Sequence, residues 1–237
     1  MDLKALYEDC PRLEPDYVRE VLNLTGDVAD KVDRITGGIH EDEAALVDRV
    51  TRAVSPVVSL EIGLGYGFSA MAICEASASG KDRRHVIIDP HQSTYWKGKG
   101  IEHLRQAGFG DIIELVEDVS YRALPRLEQA GLVVDLAFID GWHTMDFVMV
   151  DFFYVDKLLR GGGVVIFDDA DWPSIRPVIR YAITNLGYTI EATLPEKRAR
   201  DPFDIALGVE GSCIALRKPA EPLQREIFHH REIWGSS

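Results

Sequence analysis

Three aspartates follow two short apolar segments of the sequence, each at the point where a segment ends. Asp140 comes directly after residues 134–139, and Asp168 and Asp169 come directly after residues 164–167. If the two segments are neighbouring parallel strands, their carboxyl ends meet at one edge of a sheet and the three carboxylates converge there. Crowded carboxylates repel one another, and Mg²⁺, a hard ion that prefers oxygen ligands, resolves that conflict. We therefore predict a metal site formed by Asp140, Asp168 and Asp169.

A histidine stands three residues after the first of these acids, in Asp140-Gly141-Trp142-His143. The opening turn of a following helix would place the His143 ring over the metal site. An unperturbed imidazole has a pKa of about 6.5, which suits a general base near neutral pH. We predict that His143 is a catalytic base. Two alternatives stay open, because aspartates at strand ends also cap helices and a lone histidine is often structural.

A glycine-rich turn follows the first apolar segment and opens directly into a helical pattern. It reads Glu61-Ile62-Gly63-Leu64-Gly65-Tyr66-Gly67-Phe68-Ser69. Glycines permit a tight turn and the close approach of a ligand, and a helix N-terminus offers N–H groups to an anion. The dinucleotide fingerprint GxGxxG would need glycine where Phe68 stands, and no Lys-Ser/Thr pair of a phosphate-binding loop follows. A turn without a ligand is the alternative.

Short apolar segments alternate with helical patterns over most of the chain. This alternation predicts an α/β fold, a doubly wound sheet covered by helices on both faces. No helix is predicted between the last two strands, so residues 195–211 would return the chain antiparallel and complete a seven-stranded, mostly parallel sheet. The predicted strands are 57–62, 86–89, 112–116, 134–139, 164–167, 188–193 and 212–216, and the helices between them are 69–78, 101–107, 121–129, 145–159 and 175–186.

The N-terminal part of the chain reads as helical. One helix begins near Asp16 and is ended by Gly26, and a second covers residues 41–54. Ile39 and His40 precede the second helix and are candidates for a lid over the site. We predict a helical N-terminal extension and lid at 1–55, a ligand-binding domain at 56–218 and a C-terminal tail at 219–237.

The glycine turn, with an acidic residue before it, resembles the first motif of the class I S-adenosylmethionine (SAM)-dependent methyltransferases. The resemblance places Asp89, at the end of the second strand, on the ribose hydroxyls, with turn capping as the alternative. Asp118 and Val119 follow the third strand, where relatives contact adenine, although Ser120 beside them also fits a helix N-cap. The residues that the resemblance assigns to the amino-acid end of SAM are Glu61, Gly63, Gly65, Gly67, Ser69 and, at the edge of the pocket, Asp140.

The acidic half of the site resembles the metal-dependent O-methyltransferases, which include catechol O-methyltransferases and bacterial enzymes acting on macrolide sugars. Asp140 and Asp168 have the 28-residue separation of the catechol type. The base is lysine in that type and His143 here, as in the macrolide-sugar enzymes, and the third ligand is often asparagine there and Asp169 here. The resemblance covers residues 60–187. It implies that Mg²⁺ orients a substrate hydroxyl, that His143 removes its proton, and that the oxygen attacks the SAM methyl group, the substrate being a sugar or phenol of a natural product.

The composition and charge of the chain argue against nucleic acids and membranes as binding partners. The chain has 26 Lys+Arg against 39 Asp+Glu and a formal charge of −13, which repels nucleic acids and anionic membranes. No apolar run approaches the roughly 20 residues of a membrane span, and the first residues show no secretion signal. We therefore predict a cytoplasmic protein that binds neither nucleic acids nor membranes. Its three cysteines are far apart and indicate neither disulfides nor zinc; a homodimer through the N-terminal helices is suggested only by analogy.

Other functions remain open. The chain could be a SAM enzyme that needs no metal or methylates nitrogen, or a non-catalytic SAM-binding protein whose acids serve packing. An NAD-dependent oxidoreductase is disfavoured by Phe68 and by the glycines at 161–163, which resemble the helix-ending turn of the methyltransferases and are read as structural. Further candidates for substrate contact are Tyr95, Trp96, Trp142, Trp172 and the charged segment 196–200.

Overall fold

The computed structural model describes residues 4–5, 38–77, 80, 82–194, 201–221, 223 and 231–234. The helix predicted before Gly26, the charged segment 196–200 and Cys10 lie outside the described residues. The helices are α1 (Glu41–Val54), α2 (Phe68–Ser77), α3 (Lys99–Gln106), α4 (Ser120–Gln129), α5 (Met145–Leu158), α6 (Arg176–Leu186) and α7 (Pro202–Leu207). The strands are β1 (Val58–Ile62), β2 (Arg84–Ile88), β3 (Ile113–Val116), β4 (Val134–Ile139), β5 (Leu159–Phe167), β6 (Thr189–Thr193) and β7 (Ile214–Arg217).

The strands form one seven-stranded sheet in the order β3-β2-β1-β4-β5-β7-β6. Neighbouring strands are parallel except for β7, which runs antiparallel to both β5 and β6. The prediction of a doubly wound, mostly parallel sheet is confirmed. The chain order reverses between β1 and β4, and ligands bind at such a switch point, beyond the carboxyl ends of the strands.

Each face of the sheet carries its own apolar core. On one face, Leu136, Phe138 and Ile166 pack with residues of α1, α2 and α3. On the other face, Leu60, Ile62 and Ile139 pack with residues of α4, α5 and α6. Because successive side chains of a strand point to opposite faces, strands buried on both sides are almost wholly apolar. Polar side chains inside these strands therefore require an explanation.

Helix α1 has the predicted bounds and packs against α2. Leu46, Val47 and Val50 form its buried face. The Glu43 carboxylate accepts a hydrogen bond from the backbone N–H of His40 at 2.8 Å, which satisfies an otherwise unpaired donor at the helix start. The chain therefore enters α1 in a fixed orientation.

Two local predictions were wrong. The connection between β6 and β7 was predicted to lack a helix, but it contains α7, which begins after Asp201, whose side chain accepts from the Phe203 N–H at 2.7 Å. Strand β5 begins at Leu159 rather than at residue 164, so the three glycines lie within it and not in a turn. The reason is close packing, since a Cβ at Gly161 would stand 2.1 Å from the Ala220 carbonyl oxygen.

Cys74 and Cys213 are buried free thiols. Burial raises the pKa of both. In the part of the chain that the structure describes, no helix has the length and apolar character needed to cross a membrane.

Candidate active site

The glycine loop lies between β1 and α2, at the carboxyl edge of the sheet. Gly63 and Gly67 both have left-handed backbone conformations, with φ of 88° and 90°. A Cβ at Gly63 would stand 2.0 Å from the Asp140 carbonyl oxygen, so only glycine fits there. The Asp140 N–H in turn donates to the Ile62 carbonyl oxygen at 2.9 Å. The glycine loop and the first predicted metal ligand are therefore in backbone contact.

His143 joins two of the predicted acids. Its Nε2 atom lies 3.2 Å from Asp140 Oδ1 and 2.9 Å from Asp169 Oδ2. One ligand atom from each of these three residues falls within 4.8 Å of the others, a spacing that a metal ion could bridge. Asp169 reaches this position from a left-handed backbone conformation with φ of 48°, which is uncommon outside glycine and often marks a functional site.

Asp168 stands behind this group and is buried. Its N–H donates to the Ile139 carbonyl oxygen at 3.1 Å, which extends the pairing of β4 and β5 to the end of both strands. Among the described residues, its Oδ1 atom has no hydrogen-bond partner. Burial, followed by the charges of Asp140, Glu43 and Asp169, raises the pKa of Asp168 well above its usual range. The charges of the other acids therefore act on Asp168, but the group spaced to hold a metal ion is Asp140, His143 and Asp169 rather than the three predicted carboxylates.

The pKa values of Asp140 and His143 are both shifted from their usual ranges. Burial raises the pKa of Asp140 to about 6, against the opposing effect of His143. Burial lowers the pKa of His143, but the hydrogen bonds and charges of Asp140 and Asp169 outweigh it and raise that pKa to about 10. At neutral pH, and without another cation, His143 therefore carries the positive charge that the carboxylates need.

A fourth acid, Glu43 of α1, was missed by the sequence analysis. It is buried, and its Oε1 atom accepts from the Ser212 hydroxyl at 2.6 Å. Its charge contributes to the raised pKa of Asp168. Ser212 lies 169 residues away in sequence, so only the fold brings the pair together; the one sequence signal was the glutamate three residues after His40. The segment predicted as a lid therefore supplies a charge to the acidic cluster.

The predicted lid residues lie over α2. Ile39 is buried, and a Cβ at Gly38 would stand 2.1 Å from the ring of Phe68. Phe68, which breaks the dinucleotide fingerprint, is therefore the surface on which this segment rests.

Asp89 is buried at the end of β2 and faces the glycine loop. Its Oδ2 atom accepts from the N–H groups of Leu64 at 3.0 Å and Gly65 at 3.2 Å. Gln92 donates to the same oxygen, and the His91 N–H donates to Oδ1 at 2.8 Å. Asp89 therefore holds the loop in place beside the region assigned to the ribose.

Asp118 and Val119 lie beyond β3 and start α4. The N-cap of α4 is Val119, so Ser120 is the first helical residue and not the cap. Asp118 accepts from the Val119 N–H at 2.8 Å and from Arg126 at 2.6 Å. The Ser120 N-cap considered for this turn is therefore not observed, and Asp118 is held by Val119 and Arg126.

Glu61 and Ser69 are both buried at the base of the loop. The Ser69 hydroxyl donates to Glu61 Oε1. The other oxygen, Oε2, lies 3.0 Å from His85 Nε2, a contact that the sequence analysis missed.

The predicted aromatic residues gather at the same edge. The Trp172 ring lies 5.1 Å from the His143 ring, centroid to centroid, and both Trp172 and Trp142 are about half exposed. Trp96 packs edge-on against Tyr66 of the glycine loop at 5.1 Å. Tyr95 lies 4.7 Å from His91. Trp172 therefore lies against the acidic cluster, whereas Trp96 packs on the glycine loop.

Comparisons with known proteins agree with this geometry. Residues 60–170 match a family described as a methyltransferase domain. Catechol O-methyltransferase of Bos taurus is 26% identical over 151 residues, which cover 62% of this chain and 53% of the bovine protein. Catechol O-methyltransferase B of Danio rerio is 25% identical over 173 residues, covering 70% and 63%. The chain thus matches between half and two thirds of the length of these relatives.

Solved structures share the fold. An O-methyltransferase of Streptomyces achromogenes involved in tomaymycin synthesis, in complex with SAM, has a TM-score of 0.58 at 20% identity and covers 92% of this chain and 95% of its own. An O-methyltransferase of Bacillus cereus in complex with SAH has a TM-score of 0.59 at 17% identity, covering 86% and 96%. The resemblance to SAM-dependent methyltransferases found in the sequence is confirmed, and the family match covers residues 60–170.

Proposed function

We propose that the protein is a SAM-dependent O-methyltransferase that methylates a hydroxyl group of a small natural-product molecule, a sugar or a phenol, with the help of a divalent cation. One observation carries the proposal: the glycine loop and the cluster of Asp140, His143, Asp168 and Asp169 are joined at one edge of the sheet. A methyl donor held by the loop would lie beside groups that can activate a hydroxyl. The O-methyltransferases among its relatives support the same reaction.

The donor site follows from the loop. SAM brings a methyl group on a sulfonium, which is already an activated leaving group. The residues proposed for its amino-acid end are Glu61, Gly63, Gly65, Gly67 and Ser69, with Asp89 at the ribose and Asp118 and Val119 at the adenine. What these residues supply is position, because holding two reactants in line removes most of the entropic cost of their encounter.

The acidic cluster fits a divalent cation. The buried Asp168 oxygen without a partner among the described residues and the mutual repulsion of the carboxylates are both relieved by such an ion. We assign Asp140, Asp168 and Asp169 as the ligands of Mg²⁺, which when bound would act as a Lewis acid on the acceptor hydroxyl and lower its pKa.

His143 is the proposed base. While it contacts two free carboxylates it keeps its proton, since they raise its pKa to about 10. If the charges of Asp140 and Asp169 are neutralised by a divalent cation, the cause of this shift is removed. The neutral imidazole can then accept the hydroxyl proton. The acceptor oxygen then attacks the methyl group, and Trp172, which lies against His143, borders the space where the acceptor would sit.

A metal-independent SAM methyltransferase is the second candidate. It is favoured by one observation, the position of His143 between Asp140 and Asp169, which already neutralises part of the cluster. In that case the acids would serve only to hold the histidine.

Thermal-shift measurements test the donor, and a methyl-transfer assay tests the cation. We expect SAM and SAH, but not NAD or NADP, to raise the melting temperature, because only ligands of the native state stabilise it. Transfer from labelled SAM to a panel of catechols, monophenols and deoxysugars should require Mg²⁺ and stop in EDTA. Full activity in EDTA would favour the metal-independent enzyme, and binding of SAM without transfer to any oxygen or nitrogen acceptor would favour a non-catalytic binding protein.

A further inference from the structure

A chain of four buried polar side chains runs beneath the glycine loop, inside the apolar layer between the sheet and helices α1–α3. Ser59 Oγ lies 2.8 Å from His85 Nδ1, and His85 Nε2 lies 3.0 Å from Glu61 Oε2. The Ser69 hydroxyl at the start of α2 donates to the other oxygen of Glu61. All four residues are at least 96% buried, since their exposed fractions are 4% or less. The chain therefore joins the interior of the sheet to the first turn of the loop helix.

The register of the strands creates this chain. Ser59 of β1 is paired with His85 of β2, and Glu61 lies two residues further along β1. Alternate residues of a strand point to the same face, so the three side chains line up on one side of the sheet. Ser69 then meets Glu61 from above, because the glycine loop turns the chain directly back into α2.

Burial makes the contacts of Glu61 obligatory. Its exposed fraction is 0%, and a buried carboxylate is tolerated only when hydrogen bonds or opposite charges satisfy it. His85 and Ser69 supply one donor to each oxygen. Loss of the His85 donor would leave Oε2 unpaired and allow Glu61 to move toward another donor, and Ser69 would move with it.

We propose that His85 is a positioning residue of the methyl-donor site, acting through Glu61 on Ser69 and specifically on the amino-acid end of the donor. The Ser69 hydroxyl has one hydrogen, which Glu61 accepts, so its oxygen offers only lone pairs to a ligand. Lone pairs suit the ammonium group of the donor. The inference rests on the proposed function, since it concerns how that donor is held.

The experiment compares two ligands that differ only at this end. S-adenosylhomocysteine contains the amino-acid group, whereas 5′-methylthioadenosine has the same nucleoside without it. Calorimetric dissociation constants for both are measured with the full chain, for wild type and for His85→Leu, His85→Gln and Ser59→Ala. Tyr188→Phe is the matched control, because it removes another buried hydrogen bond to a carboxylate, the 2.7 Å bond to Asp156, in the other apolar layer.

We expect His85→Leu to weaken S-adenosylhomocysteine about tenfold or more, as for loss of a hydrogen bond to a charged group, and to leave 5′-methylthioadenosine within about twofold. His85→Gln, whose amide can donate to Glu61, should restore most of the affinity. Ser59→Ala, a milder change that keeps the His85–Glu61 contact, should shift the same ligand in the same direction by a smaller factor. Tyr188→Phe should lower the melting temperature and change neither constant.

Equal weakening of both ligands in His85→Leu, or no weakening of either, would overturn the positioning role. If His85→Leu does not fold, an unchanged dissociation constant of Ser59→Ala for S-adenosylhomocysteine would overturn the positioning role as well. Failure of the wild-type protein to bind either ligand would overturn the proposed function instead, so the two failures are distinguishable.

Discussion

Gly63 and Asp140 are the residues at which the glycine loop meets the acidic cluster. The Asp140 carbonyl oxygen occupies the space that a side chain at position 63 would need, at 2.0 Å from the ideal Cβ. This contact places the end of β1 against the end of β4, which are neighbours in the sheet. The donor loop and the acids are therefore one structural unit, and a change in the loop is expected to disturb both.

Substitution of Gly63 by alanine tests this unit. Gly63→Ala should destabilise the protein by several kcal/mol, because it adds a backbone collision to the cost of a positive φ. Gly108→Ala is the control, since Gly108 has φ of 90° and nothing within 4 Å of its ideal Cβ. The control should cost only about 1 kcal/mol, a shift of roughly 2–4 °C, and leave SAH binding intact. Equal melting temperatures for the two variants would contradict the contact.

Replacement of His143 tests the base. His143→Ala should lower kcat by ~10²–10⁴, the usual contribution of a general base. The affinity for SAH should stay nearly constant, because the histidine contacts Asp140, Asp169 and Trp172 and not the glycine loop. Single-turnover methyl transfer and calorimetry measure the two effects separately. A variant with wild-type kcat would remove the catalytic role.

Asp168→Asn separates stability from function. The carboxylate of Asp168 is buried among like charges. Its replacement by the neutral amide of asparagine should therefore raise the melting temperature of the protein in EDTA. The same variant should lose the stabilisation that Mg²⁺ gives the wild type, and with it the transfer activity. Asp111→Asn, at an exposed position before β3, is the control and should change neither. A lower melting temperature in EDTA for Asp168→Asn would contradict the repulsion.

Asp151 of α5 predicts a pH dependence of stability outside the proposed ligands. It is buried against the Gly141 turn. Burial raises its pKa to about 7, against the weaker lowering effect of a side-chain hydrogen bond with Ser120. A raised carboxyl pKa means that the folded state holds a proton which the unfolded state releases, so stability falls as pH rises from about 4 to about 7. Asp151→Asn should remove this loss. Its gain in the free energy of unfolding over wild type should grow across that range and level off above it, and a gain that does not vary with pH would contradict the shift.

Much of the site could be predicted because its residues follow apolar segments. Asp89, Asp140 and Asp168 each come directly after a run that only a buried strand explains, and the ends of parallel strands meet at one edge. The glycine loop was recognisable for the same reason. The alternation of predicted strands and helices along the chain was enough to predict the sheet, since β/α units have few ways to pack.

The residues that were missed depend on tertiary contacts. Glu43 reaches the cluster from a helix outside the β/α pattern and pairs with Ser212, far away in sequence. His85 lies one residue before the strand as predicted, yet it is inside β2 and pairs across to Ser59. The start of β5 was misplaced because glycines usually end elements, whereas here they admit a crossing backbone segment. Only α7 had a local signal, Asp201-Pro202, that could have been used.

The most direct test is a crystal structure of the protein grown with SAH and Mn²⁺, using anomalous scattering to locate the metal. We expect the amino-acid end of SAH to lie against residues 63–67 and the manganese peak to lie between Asp140, Asp168 and Asp169, with His143 released from at least one carboxylate. SAH bound away from the glycine loop, or a manganese peak away from these three acids while SAH is in place, would contradict the account.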